Sequence, residues 1–238
     1  MTAVWPLFTM VGRMVSPRSL RREVYPASQM FVDQFLHRPK TQREDDPPFK
    51  KTVVFMPGLV ARHHYYQRLS SHLVANKIRF VPVRGLARNT LSWEEAHLAI
   101  SDTVKMVEDE TGEVPVLLLH SKARPDSLGV LAEHPEISRA IFIASPVRGQ
   151  SYNALISLFS IFGKTSSPRR EVLDDPNICD KITTITSSLD CIVPIREATI
   201  PNAKNVVIEG REEGGFWNSH TGLPYHAREH IIRLCVEK

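Results

Sequence analysis

Cysteine is scarce in this sequence, and long apolar runs are missing. The three cysteines, Cys179, Cys191 and Cys235, are odd in number and lack the paired spacing of a metal site. Thiols in a reducing, intracellular compartment are the simplest interpretation, although one disulfide with a spare thiol stays open. No stretch approaches the roughly 18 consecutive apolar residues of a membrane-spanning helix.

A strong charge of one sign is also missing. The 30 lysines and arginines nearly balance the 26 acidic residues, and the resulting net charge of +4 does not indicate a nucleic-acid partner. The sequence has no internal repeat and no low-complexity tract. A chain of 238 residues, 42% of them hydrophobic, is long enough to bury one sizeable core.

The N-terminal segment is basic and apolar. Met1 to Arg22 contains four arginines and no acidic residue. A secretory signal is not indicated, because the apolar run from Ala3 to Val11 contains Pro6 and has no basic segment before it. Three interpretations remain open: a helical segment before the domain, a peripheral contact with a membrane surface, and an organelle transit peptide.

A charged linker with two consecutive prolines follows at residues 40–51. Its composition predicts a boundary, with an N-terminal segment at 1–50 and a single domain at 51–238. Within that domain, residues 149–180 form a connection longer than an ordinary crossover loop. This connection is either a crossover helix against the sheet or a lid above a functional site.

Strands and helices alternate beyond the linker. Short apolar runs predict six strands, at Thr52–Met56, Arg79–Val83, Val116–Leu119, Ala140–Ala144, Ile182–Ser187 and Asn205–Ile208. Helical patterns lie between or after them, at Tyr65–Ala75, Trp93–Glu110, Asp126–His134 and Tyr225–Val236. This alternation predicts an α/β fold, a mainly parallel sheet with helices on both faces.

The segment from Val114 to Ser127 is the most informative of the sequence. A buried-strand run ends at Leu119, and the dipeptide of His120 and Ser121 follows directly, before a helical segment. A serine on a sharp turn between strand and helix has an exposed hydroxyl, and the helix N-terminus stabilises negative charge beside it. This arrangement predicts a nucleophilic serine.

Two further residues follow later strands in the order that such a serine requires. The acid, Asp190, lies just after the strand ending at Ser187, and the histidine, His220, lies before the last helix. A serine needs a base to take its proton, and the base needs an acid to orient it. Glu197 is the alternative acid if its loop folds differently.

Five segments of residues 51–238 resemble α/β-hydrolases of the lipase and esterase type. They are Val53–Leu59 (strand and oxyanion loop), Gly85–Thr90 (glycine-asparagine turn), Leu117–Ala123 (nucleophile elbow), Ile143–Ser151 (threonine-proline-histidine segment) and the pair around Asp190 and His220. The resemblance implies a compact three-layer fold lacking the first two strands of the full family sheet.

The same resemblance implies an activity: cleavage of small-molecule or lipid esters through an acyl-enzyme. Ser121 would be the nucleophile, Asp190 the acid and His220 the base, with the backbone N–H groups of Leu59 and Lys122 as the oxyanion hole. Each such donor stabilises the transition state by roughly 3–4 kcal/mol. No cofactor is implied.

The elbow departs from the family pattern at two positions. Small residues are usual two before and two after the serine, because the turn is crowded there, and this chain has Leu119 and Ala123. We expect Leu119 to fit poorly. A non-catalytic protein of the same fold, binding a ligand or a membrane surface, is the alternative interpretation.

One zinc pattern competes with the hydrolase interpretation. His226 and His230, with Glu229 between them, match His-x-x-Glu-His, and histidines four apart share one face of a helix. Such a site needs a third protein ligand well downstream, and only eight residues follow His230. The sequence therefore favours a solvated helix face and predicts no metal.

Overall fold

The computed structural model describes residues 48–58, 61, 63–85, 92–122, 126–148, 170–209 and 219–237. Six strands form one sheet in the order β2-β1-β3-β4-β5-β6, and every pairing is parallel. The strands are β1 (Lys51–Met56), β2 (Ile78–Pro82), β3 (Val116–His120), β4 (Ala140–Ile143), β5 (Ile182–Ser187) and β6 (Lys204–Ile208). All six strand predictions are confirmed. The predictions for the N-terminal segment and for most of the long connection concern residues 1–47 and 149–169, which lie outside the described residues.

Helices connect the strands and follow the last of them. They are α1 (Gln67–Ala75), α2 (Trp93–Thr111), α3 (Asp126–Glu133), α4 (Arg170–Asp174), α5 (Pro176–Cys179), α6 (Ile195–Ala198), α7 (Leu223–His226) and α8 (Arg228–Val236). A 3-10 turn at His63–Tyr66 leads into α1. Helix α2 begins with a capping box between Ser92 and Glu95 and ends at Gly112 in the left-handed conformation, with φ of 68°.

The prediction of one closing helix over Tyr225–Val236 was wrong. The chain forms two helices that meet at Ala227, whose φ of −80° and ψ of 5° depart from helical values. The guanidinium of Arg228 donates to the carbonyl oxygen of Tyr225, an acceptor that an unbroken helix would use for its own backbone. In the described ranges, no helix has the length and apolarity needed to cross a bilayer.

Alternate residues of the central strands enter two separate core layers. Val54, Met56, Leu117, Leu119 and Phe142 pack with the apolar faces of α2 and α3. The intervening residues pack on the opposite face with α1, α7 and α8, among them Val53, Phe55, Leu118, Ile141 and Ile185. Strands buried on both faces explain the unbroken apolar runs of the sequence. Because the strands are parallel, the carboxyl ends of β1, β3 and β5 lie at one edge of the sheet.

Candidate active site

Ser121 lies immediately after β3, in a strained backbone conformation. Its φ is 55°, the left-handed region that side chains with a Cβ rarely adopt. Its N–H donates to the carbonyl oxygen of Ile143 at 3.0 Å, which ties the turn to the neighbouring strand β4. Strain of this kind, on the order of 1–2 kcal/mol, persists where surrounding bonds hold the residue in place, often at functional sites.

Leu119 fits this turn better than the sequence pattern predicts. The side chain is fully buried in the core layer beneath α2 and α3. Its strand partners are Met56 on β1 and Phe142 on β4. Residues two apart on a strand share a face, so Leu119 lies on the same side of the sheet as Leu117 and fills the same core layer. The expected poor fit is therefore not seen.

The His220 side chain bridges Ser121 and Asp190. Its Nε2 atom lies 2.7 Å from the Ser121 Oγ atom, and its Nδ1 atom lies 2.9 Å from the Asp190 Oδ2 atom. A carboxylate only accepts hydrogen bonds, so Nδ1–H donates to Asp190 and leaves the Nε2 lone pair for the serine hydroxyl. The exposed fractions of the serine, aspartate and histidine are 8%, 9% and 5%.

Backbone donors hold the Asp190 carboxylate in place. Its Oδ1 atom accepts the N–H groups of Ile192 and Val193, each at 2.8 Å, while Oδ2 faces His220. The aspartate lies on the turn that follows strand β5, and its own backbone N–H donates to the Ser187 carbonyl oxygen. Aspartates on turns bind backbone groups a few residues ahead in this way, and this local chemistry orients the carboxylate.

The alternative acid, Glu197, lies in α6 and has different surroundings. Its Oε1 atom is 3.6 Å from the Arg196 Nε atom, and its buried Oε2 atom has no hydrogen-bond partner among the described residues. Burial raises the pKa of this carboxyl group. The structure thus pairs the His220 ring with Asp190.

The structure describes one of the two expected oxyanion donors. Lys122 is described and buried, directly after Ser121, whereas Leu59 lies outside the described residues. The preceding residue, Gly58, approaches the nucleophile closely: a Cβ atom there would lie 3.2 Å from the Ser121 Cβ atom and 3.0 Å from the His120 Nδ1 atom. Only glycine fits this contact without a shift of its neighbours.

Sequence reasoning missed a buried polar group next to these residues. The Tyr66 hydroxyl oxygen accepts the Gly58 N–H at 3.0 Å and lies 2.8 Å from the His120 Nδ1 atom. The His120 Nε2 atom is 3.2 Å from the His220 carbonyl oxygen. Burial lowers the pKa of His120 to about 3 and raises that of Tyr66, so both side chains stay neutral.

The zinc pattern of the last helices has ordinary surroundings. His230 lies 3.1 Å from an Arg233 nitrogen, and Glu229 pairs with His72 from helix α1. Burial lowers the pKa of His226. Among the residues that the structure describes, no three histidine, cysteine or acidic side chains form a group able to hold a metal. None of the three cysteines forms a disulfide.

Sequence comparison and structural comparison give different results. No protein-family model matches the chain, and no curated protein matches its sequence. A lipase of Bacillus licheniformis matches with a TM-score of 0.58 and 15% identity, over 82% of this chain and 99% of that chain. An esterase of Pyrococcus furiosus matches with a TM-score of 0.53 and 17% identity, over 78% of this chain and 82% of that chain.

An extracellular α/β-hydrolase from a Paenibacillus species is similar as well. Its TM-score is 0.55 at 16% identity, over 79% of this chain and 100% of that chain. The matches extend over most of both chains, and the six-stranded parallel sheet with helices on both faces agrees with them. At these identities the likeness concerns the fold. The chain therefore has the α/β-hydrolase fold, as its sequence motifs predict.

Proposed function

We propose that this protein is a serine hydrolase that cleaves carboxylic esters through an acyl-enzyme. The observation that carries the proposal is the position of His220, within hydrogen-bond distance of both the Ser121 hydroxyl and the Asp190 carboxylate. Three such groups in this order activate a serine that is otherwise a weak nucleophile. The strained φ of Ser121 and the close approach of Gly58 support the same interpretation.

The reaction follows from these positions. The Ser121 oxygen attacks the ester carbonyl carbon while its proton moves to the His220 Nε2 atom, and the carbonyl oxygen becomes an oxyanion. Asp190 keeps the imidazolium oriented, and His220 then gives the proton to the departing alcohol. In the second half, His220 takes a proton from water, which attacks the acyl carbonyl and releases the acid and Ser121.

The oxyanion needs donors near Ser121, and the Gly58 N–H already bonds to Tyr66. We therefore assign the donors to the backbone N–H groups of Lys122 and Leu59, as the family resemblance implies. Donors in these positions stabilise the negative charge that develops in the transition state. Small-molecule and lipid esters are both substrates of this chemistry, and thioesters react by the same steps.

Labelling with a fluorophosphonate tests the proposal, because this reagent phosphonylates an activated serine. We expect stoichiometric labelling of the intact protein and none of Ser121→Ala. The matched control is Ser71→Ala, at a half-buried position of α1, which should be labelled as the unaltered protein is. Absent labelling would instead indicate a non-catalytic protein of this fold, and labelling that survives Ser121→Ala would contradict the assignment of Ser121 as the nucleophile.

Turnover tests the assignment of the base. His220→Ala should lower p-nitrophenyl ester hydrolysis by about 10³-fold or more, and His226→Ala should leave it nearly unchanged. The reverse result would move the base to His226. Parallel assays with an oxygen ester and a thioester of the same acyl chain then show which bond the protein cleaves faster.

A further inference from the structure

Three hydrogen bonds join segments that lie far apart in the chain. They run from the Gly58 backbone after β1, through the Tyr66 hydroxyl and the His120 ring, to the backbone of His220. Tyr66 and His120 are separated by 54 positions, and His120 and His220 by 100. The chain of bonds thus connects the strand end that precedes the expected oxyanion loop with the residue that contacts Ser121.

The direction of each bond follows from its ends. The Gly58 N–H can only donate, so the Tyr66 oxygen accepts there and its own hydrogen is left to point elsewhere. The His220 carbonyl oxygen can only accept, so the His120 Nε2 atom carries the hydrogen and donates it. The Nδ1 atom then has a lone pair and accepts the Tyr66 O–H. One arrangement of protons satisfies all three contacts.

Packing holds the two rings of this chain of bonds. The Tyr66 ring meets Phe55 edge-on with centroids 4.5 Å apart, and it meets His120 edge-on at 5.6 Å. The His120 and His220 rings lie 5.2 Å apart. Tyr66 and His120 are both almost completely buried. A buried side chain with fixed partners keeps the backbone groups that it binds in place.

We propose that Tyr66 and His120 are positioning residues, which hold the Gly58 and His220 backbones in a fixed relation to Ser121. The inference rests on the proposed serine hydrolase function. Neither side chain contacts the reacting atoms. Tyr66 acts by binding the N–H of Gly58, which lies close to Ser121, and His120 acts by binding the carbonyl oxygen of His220, the residue that supplies the base.

The Tyr66 contact is tested by Tyr66→Phe, which removes only the hydroxyl group. Tyr65→Phe is the matched control, because Tyr65 is half-buried in the same 3-10 turn and packs against the same core layer. The readout is the Ki of an alkyl trifluoromethyl ketone. Its carbonyl carbon bonds to the Ser121 oxygen, the serine proton passes to His220, and the ketone oxygen becomes an oxyanion.

We expect Tyr66→Phe to raise this Ki by about 10-fold or more, with a similar fall in kcat and an unchanged Ki for the product acid. A purely structural role would weaken both ligands together and lower the unfolding temperature in proportion. Tyr65→Phe should change neither Ki. An unchanged ketone Ki in Tyr66→Phe would overturn the inference for this residue.

The two bonds of His120 are separated by its two amide replacements. The Gln side chain places its amide near the Nε2 position and keeps the donor to the His220 carbonyl oxygen, whereas Asn places its amide near Nδ1 and keeps the acceptor for Tyr66. We expect His120→Asn to shift the ascending limb of the kcat/KM pH profile and His120→Gln to leave it in place. Identical profiles for both variants and the unaltered protein would overturn the role of His120.

Failure of this inference differs from failure of the proposed function. If the unaltered protein does not react with a fluorophosphonate at Ser121, the function itself is wrong. If it reacts, and Tyr66→Phe and both His120 variants keep the ketone Ki and the pH profile of the unaltered protein, the hydrolase stands without these positioning residues.

Discussion

The His220 Nε2 atom lies 2.7 Å from the Ser121 Oγ atom, although 99 positions separate the two residues in the chain. The fold produces this contact by placing the serine after β3 and the histidine just before α7. Asp190, on the turn after β5, completes the set at the same edge of the sheet. Predictions about each part of this arrangement can be tested separately.

Asp190→Asn should lower kcat by about 10³- to 10⁴-fold, because an amide in this place favours the wrong histidine tautomer. The matched control is Glu197→Gln, the same kind of change at the other buried acid, which should alter kcat by only a few-fold. Steady-state ester hydrolysis measures both. A larger loss in Glu197→Gln than in Asp190→Asn would reassign the acid.

Gly58→Ala should reduce both activity and stability. Its Cβ atom would lie 3.0 Å from the His120 Nδ1 atom, whose ring is held by Tyr66 and cannot retreat without loss of a bond. Overpacking of this kind costs about 1–3 kcal/mol. Gly129→Ala is the control: its new methyl group would lie 3.1 Å from the ring of His97, whose partner Glu133 is 61% exposed and can move together with that ring. Urea unfolding and ester turnover should change little in Gly129→Ala. Full activity in Gly58→Ala would contradict the close contact between Gly58 and the His120 ring.

Replacement of Ser121 by glycine should give a more stable protein than replacement by alanine, by about 1 kcal/mol. Both changes remove the hydroxyl, but only glycine tolerates a φ of 55° without strain. The same pair of substitutions at helical Ser71 should show the opposite order, because glycine weakens a helix by a similar amount. Equilibrium urea unfolding compares the four variants. If alanine were more stable than glycine at both sites, the backbone strain at Ser121 would be contradicted.

Stability should fall in mild acid because of His120. The folded protein holds the pKa of this imidazole at about 3, against 6.5 for an exposed one, so the unfolded chain binds a proton that the folded protein excludes. The contribution is complete above pH 6.5 and declines as the pH falls toward 3. Between pH 7 and pH 5, the resulting loss in the free energy of unfolding is about 2 kcal/mol.

His120→Gln and His120→Asn should both flatten the pH dependence of the unfolding free energy by that amount. The two variants thus agree in this thermodynamic test, although they are expected to differ in kinetics. Urea titrations at the two pH values measure the slopes. A slope equal to that of the unaltered protein in both variants would contradict the exclusion of the proton.

The strands and the order of the three central residues could be predicted because each has a local signal. Strands buried on both faces appear as unbroken apolar runs, as in Val116–His120, and turns with polar side chains follow them. Ser121, Asp190 and His220 each stand beyond such an element. Parallel strand ends converge, so their proximity follows from topology without any knowledge of side-chain packing.

The partnership of Tyr66 and His120 had no local signal. Tyr66 reads as the start of a helix, and its partner lies 54 positions away. The neutrality of His120 depends on burial beside Gly58, Tyr66 and His220, which come from three separate segments, and composition and spacing do not reveal this. The fit of Leu119 was similarly hidden, since it depends on the room left by Met56 and Phe142 on neighbouring strands.

The parallel pairing of all five strand contacts also determines when the site exists during folding. No pair is joined by a tight hairpin, so each pairing closes a long loop, and topologies of this kind fold slowly. His220 lies just before the two C-terminal helices, so we expect it to reach Ser121 only once these helices have docked on the sheet. During refolding, the reactivity of Ser121 toward a fluorophosphonate should therefore return with the last structural step, and partly folded chains should not be labelled.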